Sequence, residues 1–321
     1  MHPPSELPPQ LRTQPFTVAE ARAAGVSRRR TRARDLVNPC HGVRASATVE
    51  DSLLERLRAL TGVTGAVVSH LSAAVLWGFP LPLALENLAV VHLTGDPGRR
   101  AVRYKGVVGH QQSLGPDEIV AGAWVSCTSP LRTWFDLAGI LGLDDLVTAG
   151  DFLLRRRNPL TTVDALDAFL AGKRGRTGYR RAMRARALIR ANTDSPKETE
   201  LRLLLMRHGL PEPGINVPIF DETGVWIQDP DLSYEREKIA IQYDGAHHAS
   251  PAQRRSDIFR DENARDGGWR VVVLTQTDLE PLARGMDPTA VTRVRAALKE
   301  RGWTPEPGGT SKRTSPSRPA S

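Results

Sequence analysis

Lys238-Ile239-Ala240-Ile241-Gln242-Tyr243-Asp244-Gly245 decides how the last third of the chain reads. Side chains alternate across a strand, so this run sets Gln242 and Asp244 on one face and Ile241 and Tyr243 on the other, and Gly245 ends it. Upstream, Asn216 to Phe220 and Val225 to Tyr234 read as two strands about a turn at Asp221 to Gly224. Before them, Ser195-Pro196-Lys197-Glu198 carries three marks of a helix start: a serine N-cap, proline at the first helical position and glutamate at the third. Leu201, Leu204, Leu205 and His208 form that helix's buried stripe, and Gly209 stops it. Downstream of His247-His248 come a helix from about Pro251 to Asp266, a Gly267-Gly268 break, a buried strand from Trp269 to Leu274, and a last helix from about Pro288 to Arg301. The predicted order over residues 195–302 is αβββαβα.

A chain of 321 residues exceeds the usual single domain, so more than one core is expected. Hydrophobic residues at 40% and charged residues at 25% are ordinary for a globular protein, and no apolar run reaches the length of a membrane span. The first residues, MHPPSELPPQLRTQP, have no apolar core of a secretory signal. Cys40 and Cys127 stand far apart without a CxxC partner, so neither a cysteine zinc site nor a disulfide framework is indicated, and a reducing cytoplasm fits. Lys plus Arg number 44 against 36 Asp plus Glu, a net charge of +8 that suits a polyanionic partner. An arginine-rich composition alone produces the same excess.

Residues 1–14 are Pro-rich and polar, and residues 304–321 lack aliphatic side chains, so both are expected to be disordered. Residues 15–50 read as a winged helix-turn-helix. Thr17 and Glu20 form a capping box, Gly25 ends the first helix, a second runs from Ser27 to about Val37, and His41 to Arg44 is extended. That second helix would carry Arg28, Arg29, Arg30, Arg32 and Arg34, the candidate DNA contacts, although five such positions cannot share one helical face. Residues 52–190 form a predicted middle α/β domain. Its helices are expected at Ser69 to Leu76, Pro130 to Leu154 and Thr162 to Leu170, with strands at Leu88 to Leu93 and Lys105 to His110; Ser69, His70 and Trp77 are expected to pack its interior. A basic stretch from Lys173 to Arg190 leads to Asn192-Thr193-Asp194, read as a hinge.

The string Glu198…Pro230-Asp231…Gln242-Tyr243-Asp244-Gly245-Ala246-His247-His248…Asp257…Arg260…Gly268-Trp269-Arg270-Val271 resembles a domain family related to very-short-patch-repair endonucleases. The predicted αβββαβα order is that of the restriction-endonuclease, PD-(D/E)xK core. Phe16-Thr17, Gly25-Val26-Ser27, Leu36, Pro39 and Gly42-Val43 resemble the winged-helix start of AbiEi-type antitoxins. Ser69-His70-Leu71-Ser72-Ala73-Ala74, Trp77-Gly78, Val91-His92-Leu93-Thr94, Thr128-Ser129-Pro130, Asp136-Leu137 and Asp151 resemble the rest of that family.

The first resemblance implies a Mg²⁺- or Mn²⁺-dependent DNA endonuclease, in which oxygen ligands hold the ion against the scissile phosphate. Asp231, Asp244 and the carbonyl oxygen of Gln242 are the candidate ligands, Glu198 completes the acidic set, and His247 or His248 would serve as general base or phosphate donor. The family's usual glutamate is replaced here by Gln242, which supplies no charge. Each residue also has a plainer reading: Glu198 as a capping-box residue, Asp231 as a turn residue after Pro230, Asp244-Gly245 as a strand-ending turn, Asp257 and Arg260 as a surface ion pair. The second resemblance implies a promoter-binding repressor with DNA and a toxin protein as partners, and allows the nuclease fold to serve for binding only.

Overall fold

A computed structural model of the chain describes residues 4–38, 42–46, 53–86, 90–98, 101–122, 125–245 and 251–305, excepting the side chains of residues 86 and 251–258. The chain is mixed α/β and divides into two compact units, Met1–Leu146 with Asp164–Arg184, and Val147–Val163 with Ala185–Ser321. Among the described residues, no helix is long and apolar enough to cross a membrane.

The first unit opens with β1 (Phe16–Thr17), α1 (Val18–Ala23), β2 (Leu36–Val37) and β3 (Val43–Ser46), whose strands form an antiparallel sheet in the order β1-β3-β2. The expected capping box is present: Glu20 N donates to Thr17 Oγ1 at 2.9 Å and Thr17 N to Glu20 Oε2 at 2.7 Å. Residues 4–14, expected to be disordered, instead contribute Leu7 and Leu11 to a core with Phe16, Ala21 and Leu36. Two leucines at helical spacing suffice where a neighbouring sheet offers a face to cover them. The predicted helix from Ser27 to Val37 is replaced by a 3₁₀ turn, Arg30–Arg32, followed by β2. Arg30 is buried there and bidentate to Asp35, at 2.9 and 2.7 Å, so the side chain holds the turn closed.

The rest of the first unit is built on α2 (Leu53–Thr64), β4 (Val67–Val68), α3 (His70–Trp77), α4 (Leu83–Glu86), β5 (Val91–Gly95), β6 (Val107–Gln111), β7 (Ile119–Ala121), β8 (Ser126–Thr128) and α5 (Pro130–Leu137). The strands make one mixed sheet, β6-β5-β4-β8-β7, with β5 parallel to β6 and β4 parallel to β8. Val91 and Leu93 bury one face of β5 in a core with Leu57, Leu60, Val68 and Cys127, and His92 and Thr94 point to the other face. Trp77 packs against this core and donates to the Thr128 carbonyl at 2.8 Å, as its expected packing role requires. Helices α6 (Leu143–Leu153), α7 (Val163–Ala171) and α8 (Tyr179–Leu188) follow, and the division between units falls within them.

The second unit contains α9 (Pro196–Arg207), β9 (Gly214–Ile215), β10 (Ile219–Phe220), β11 (Trp226–Gln228), β12 (Leu232–Tyr234), β13 (Ile239–Asp244), α10 (Pro251–Asp266), β14 (Arg270–Thr275) and α11 (Thr289–Glu300). Its main sheet runs β14-β13-β12-β9, antiparallel except for β13 and β14, which are parallel and joined through α10. Ile239 and Ile241 of β13, Val272 and Leu274 of β14, and Leu232 and Tyr234 of β12 share a core with Leu201 of α9 and Val294 of α11. Ala240 and Val271, one residue out of step, fall in a second core with Ile227 and Trp269. Gln242 and Asp244 therefore lie on the Ala240 face, as alternation requires. The expected strand from Val225 to Tyr234 is two strands: β11 pairs with β10, and β12 joins the main sheet. Pro230 lies between them and has no N–H for a continuous ladder. Residues 192–194, read as a hinge, lie inside this unit, where Thr193 is buried and Asp194 accepts from Arg156. Asp151 of α6, also buried, receives Arg202 Nη2 and Thr199 Oγ1, both at 2.8 Å, and Arg190 N at 2.7 Å.

Candidate functional site

Helix α9 presents Glu198 at its third position, where the Ser195 hydroxyl accepts from Glu198 N at 3.3 Å. The carboxylate does not return to the N-cap nitrogen. Its Oε2 accepts from Asp194 N at 2.9 Å and from Asn216 Nδ2 at 2.7 Å, so Glu198 joins the helix start to the segment entering the sheet. Burial pushes its carboxyl above the ordinary range against these donors, and the charge of Asp231 pushes the same way. Asp231 precedes β12, and its Oδ2 accepts from Tyr243 N of β13 at 2.6 Å. Burial raises its carboxyl as well; the Tyr243 N–H opposes this and the charge of Asp194 adds to it.

Gln242 is half-buried and its Nε2 donates to Gln228 Oε1 at 3.2 Å. The Gln228 Nε2 is buried without a hydrogen-bond partner among the described residues. Exchanging oxygen and nitrogen in both amides keeps the pair bonded and leaves the orphan on Gln228, now as its Oε1. Asp244 ends β13 and is exposed. His247 and His248 lie outside the described residues, as does the side chain of Asp257. Glu198, Asp231 and the Gln242–Tyr243 strand segment are thus brought together, and Asp244 is placed one strand pleat further along the Gln242 face.

Three residues that sequence reading passed over complete this region. Arg156 donates to Asp229 Oδ2 at 2.9 Å and to Asp194, and Trp226 Nε1 holds the other oxygen of Asp229 at 2.9 Å. Arg156 is the cation that lowers the Asp231 carboxyl. Arg156 thus pairs with Asp194 and Asp229 and acts on Asp231, which in turn repels Glu198, an excess of negative charge over positive. Asp229 was detectable as the first acid of Asp229-Pro230-Asp231; Arg156, far upstream, left no local signal. The donor set is oxygen from carboxylates and an amide, the chemistry Mg²⁺ and Mn²⁺ prefer, and the acidic excess fits a divalent cation.

Of the five arginines named in the front module, Arg28, Arg29, Arg32 and Arg34 are exposed and Arg30 is not. A second constellation had no place in the expected site. His70, His92 and His110 bring one ring nitrogen each within 4.8 Å of one another, the single such convergence of three His, Cys, Asp or Glu side chains among the described residues.

No family model matches the chain. Two curated proteins of Mycobacterium tuberculosis, the uncharacterized protein Rv2248 of strain H37Rv and the uncharacterized protein MT2308 of strain CDC 1551 / Oshkosh, are each 30% identical to it over 261 residues. The match covers 76% of this chain and 87% of each relative.

Proposed function

The chain belongs to the family of these mycobacterial proteins, and we propose that it is a DNA-binding protein whose second unit is a metal-dependent DNA endonuclease of the PD-(D/E)xK type. The observation that carries this reading is the pinning of Asp231 by Tyr243 N–H beside buried Glu198, at the strands that also present Gln242 and Asp244. Leaving aside the separate β10–β11 pair, the elements run α9, β9, β12, β13, α10, β14, α11, with β14 parallel to β13, an order that supports this reading. Asp231, Asp244 and the Gln242 carbonyl oxygen would hold Mg²⁺ or Mn²⁺. Such an ion, when bound, supplies charge for the phosphate and an acidified water. The chain's own contribution is orientation. Tyr243 N–H fixes the Asp231 carboxylate, Asn216 and Asp194 N–H fix Glu198, and Arg156 limits the repulsion among the acids. His247 or His248 would manage a proton or a phosphate oxygen.

The front module is proposed as a winged-helix-like DNA contact in which Arg28, Arg29, Arg32 and Arg34 meet phosphates, Arg30 being committed to Asp35. A second reading is favoured by one observation, the Gln242–Gln228 amide pair standing where the motif calls for a carboxylate. In it the same unit binds DNA or a toxin protein without cleavage, as an AbiEi-like regulator. Incubating the pure chain with supercoiled plasmid and Mg²⁺ or Mn²⁺ separates the two. Nicking that disappears in Asp231→Asn supports the nuclease; plasmid retardation without nicking, in the parent and in Gln242→Glu alike, supports the regulator.

A further inference from the structure

His70 is the first residue of α3, and His92 and His110 sit on the adjacent parallel strands β5 and β6. The registers His92↔Val108 and Thr94↔His110 put the two strand histidines on one face, diagonal to each other, away from the core that takes Val91 and Leu93. His92 Nδ1 and His110 Nε2 are 3.0 Å apart, and the His70 ring stacks on His110 with centroids 3.5 Å apart. All three rings are held neutral: burial, then the neighbouring histidines, lowers His70 to about 2 and His92 to about 4, and burial lowers His110. Neutral imidazole is the state that offers a lone pair.

We propose that His70, His92 and His110 are the protein ligands of one tetrahedral transition-metal ion, zinc being the ion their donor chemistry suits. Zinc–imidazole bonds of about 2.0–2.1 Å in a tetrahedron set ligand nitrogens roughly 3.3 Å apart, close to the separation that His92 and His110 already have. His70 reaches the same ion once its ring turns off the face of His110, a rotation about one side-chain torsion.

Two features around His70 are arranged for a ligand. Ser69, the N-cap of α3, makes no side-chain cap bond; its hydroxyl lies 2.9 Å from His70 Nδ1 and takes the Thr94 hydroxyl at 2.7 Å. Asp136 Oδ2 is buried without a hydrogen-bond partner among the described residues, 3.8 Å from the same Nδ1. The Ser69 hydroxyl on Nδ1, with the Asp136 carboxylate 3.8 Å away, leaves Nε2 as the ligating nitrogen, the usual support of a metal-bound histidine. The backbone of His70 is also held at a φ of +49°, a left-handed conformation uncommon for a residue with a β-carbon. With three protein ligands the fourth position is left for water. His70 and His110 line a cavity of about 580 Å³ that also contains Arg132, Lys173 and Arg176, where that water would sit.

The test is a titration of the full chain, stripped with chelator and dialysed, with Co²⁺ alone. The site is expected to give visible d–d absorption of tetrahedral intensity, removed by equimolar Zn²⁺. His92→Gln and His110→Gln should lose the bands while keeping the parent's circular dichroism, and Asp231→Asn should keep them. Absence of tetrahedral bands in the parent overturns the proposal, as do bands that survive both histidine variants or vanish in Asp231→Asn. The parent titration decides even where a histidine variant fails to fold.

Discussion

The two candidate metal centres of this chain treat burial in opposite ways. In the second unit, Glu198 and Asp231 lie close enough to repel each other, and burial drives both toward the protonated form. In the first unit, three imidazoles are gathered beside Arg132, and burial drives them toward the neutral form. A carboxylate site held this way gains from a hard cation, which restores the charged form, whereas a histidine site is already in its ligating state and suits a softer ion. The lesson is that desolvation, usually a cost, prepares one donor type for metal and leaves the other in need of it.

The comparison breaks most visibly where a buried acid is paired directly with an arginine. Asp151 is as buried as any acid in the second unit, yet it pairs directly with Arg202, whose other terminal nitrogen binds Glu212. Arg202→Ala is expected to cost about 3–5 kcal/mol, because it leaves a buried carboxylate unpaired, and urea unfolding measures it. Glu198→Gln, which removes an uncompensated charge, should instead leave stability at neutral pH unchanged or raise it. Equal losses in both would erase the distinction.

The pH dependence sharpens it further. An acid whose folded pKa lies above its unfolded one contributes stability that is complete below the unfolded value and falls as pH rises through the folded one. Glu198 and Asp231 therefore oppose folding of metal-free protein as pH climbs beyond the ordinary carboxylate range, and Glu198→Gln should flatten that slope. The histidines have the reverse sign. Their depressed values give stability that is complete above the ordinary imidazole value of 6.5 and declines as pH falls through about 4 for His92 and toward about 2 for His70. Thermal melts of chelator-stripped parent and His92→Gln across this interval check the sign; a parent that loses no more stability than His92→Gln on acidification from pH 6.5 contradicts it.

A smaller effect concerns Gln242. Replacing it with glutamate adds a third carboxylate to the proposed ligand set and should tighten Mn²⁺ by on the order of tenfold, equivalent to about 1.4 kcal/mol, with nicking rising in step. Calorimetry on Gln242→Glu and the parent measures the gain. The smallest expected effect lies in the front module. Single alanine replacements of Arg28, Arg29, Arg32 or Arg34 should lower the salt slope of DNA binding by about one unit each and leave stability unchanged. Arg30→Ala should do the opposite, because its side chain closes the 3₁₀ turn on Asp35.

Local sequence chemistry carried much of the second unit. The Ser195-Pro196-Glu198 start, the period-2 run through Ile239–Asp244 and the glycine after α10 each act within a few residues of where they are written. The site's rim was legible for the same reason: Asp231, Gln242 and Asp244 sit in motifs. What could not be read depends on tertiary approach. Arg156 reaches Asp194 and Asp229 from a distant stretch, and Pro230 splits a strand that propensity alone would continue. His70, His92 and His110 come from a helix and two strands, and only the pairing register of β5 with β6 brings them together. The alternation Val91-His92-Leu93-Thr94 did announce a polar face on a buried strand, but not what would lie across from it. In the front module, helix propensity over Ser27–Val37 yielded to the Arg30–Asp35 pair.

Crystals of the full chain grown with both Zn²⁺ and Mn²⁺, measured with anomalous scattering at the two absorption edges, test the pair of centres most directly. The expected result is a zinc peak among His70, His92 and His110 and a separate manganese peak beside Asp231 and Asp244. Zinc and manganese together at one centre, or no manganese peak beside Asp231, would contradict the division of the two centres by donor chemistry.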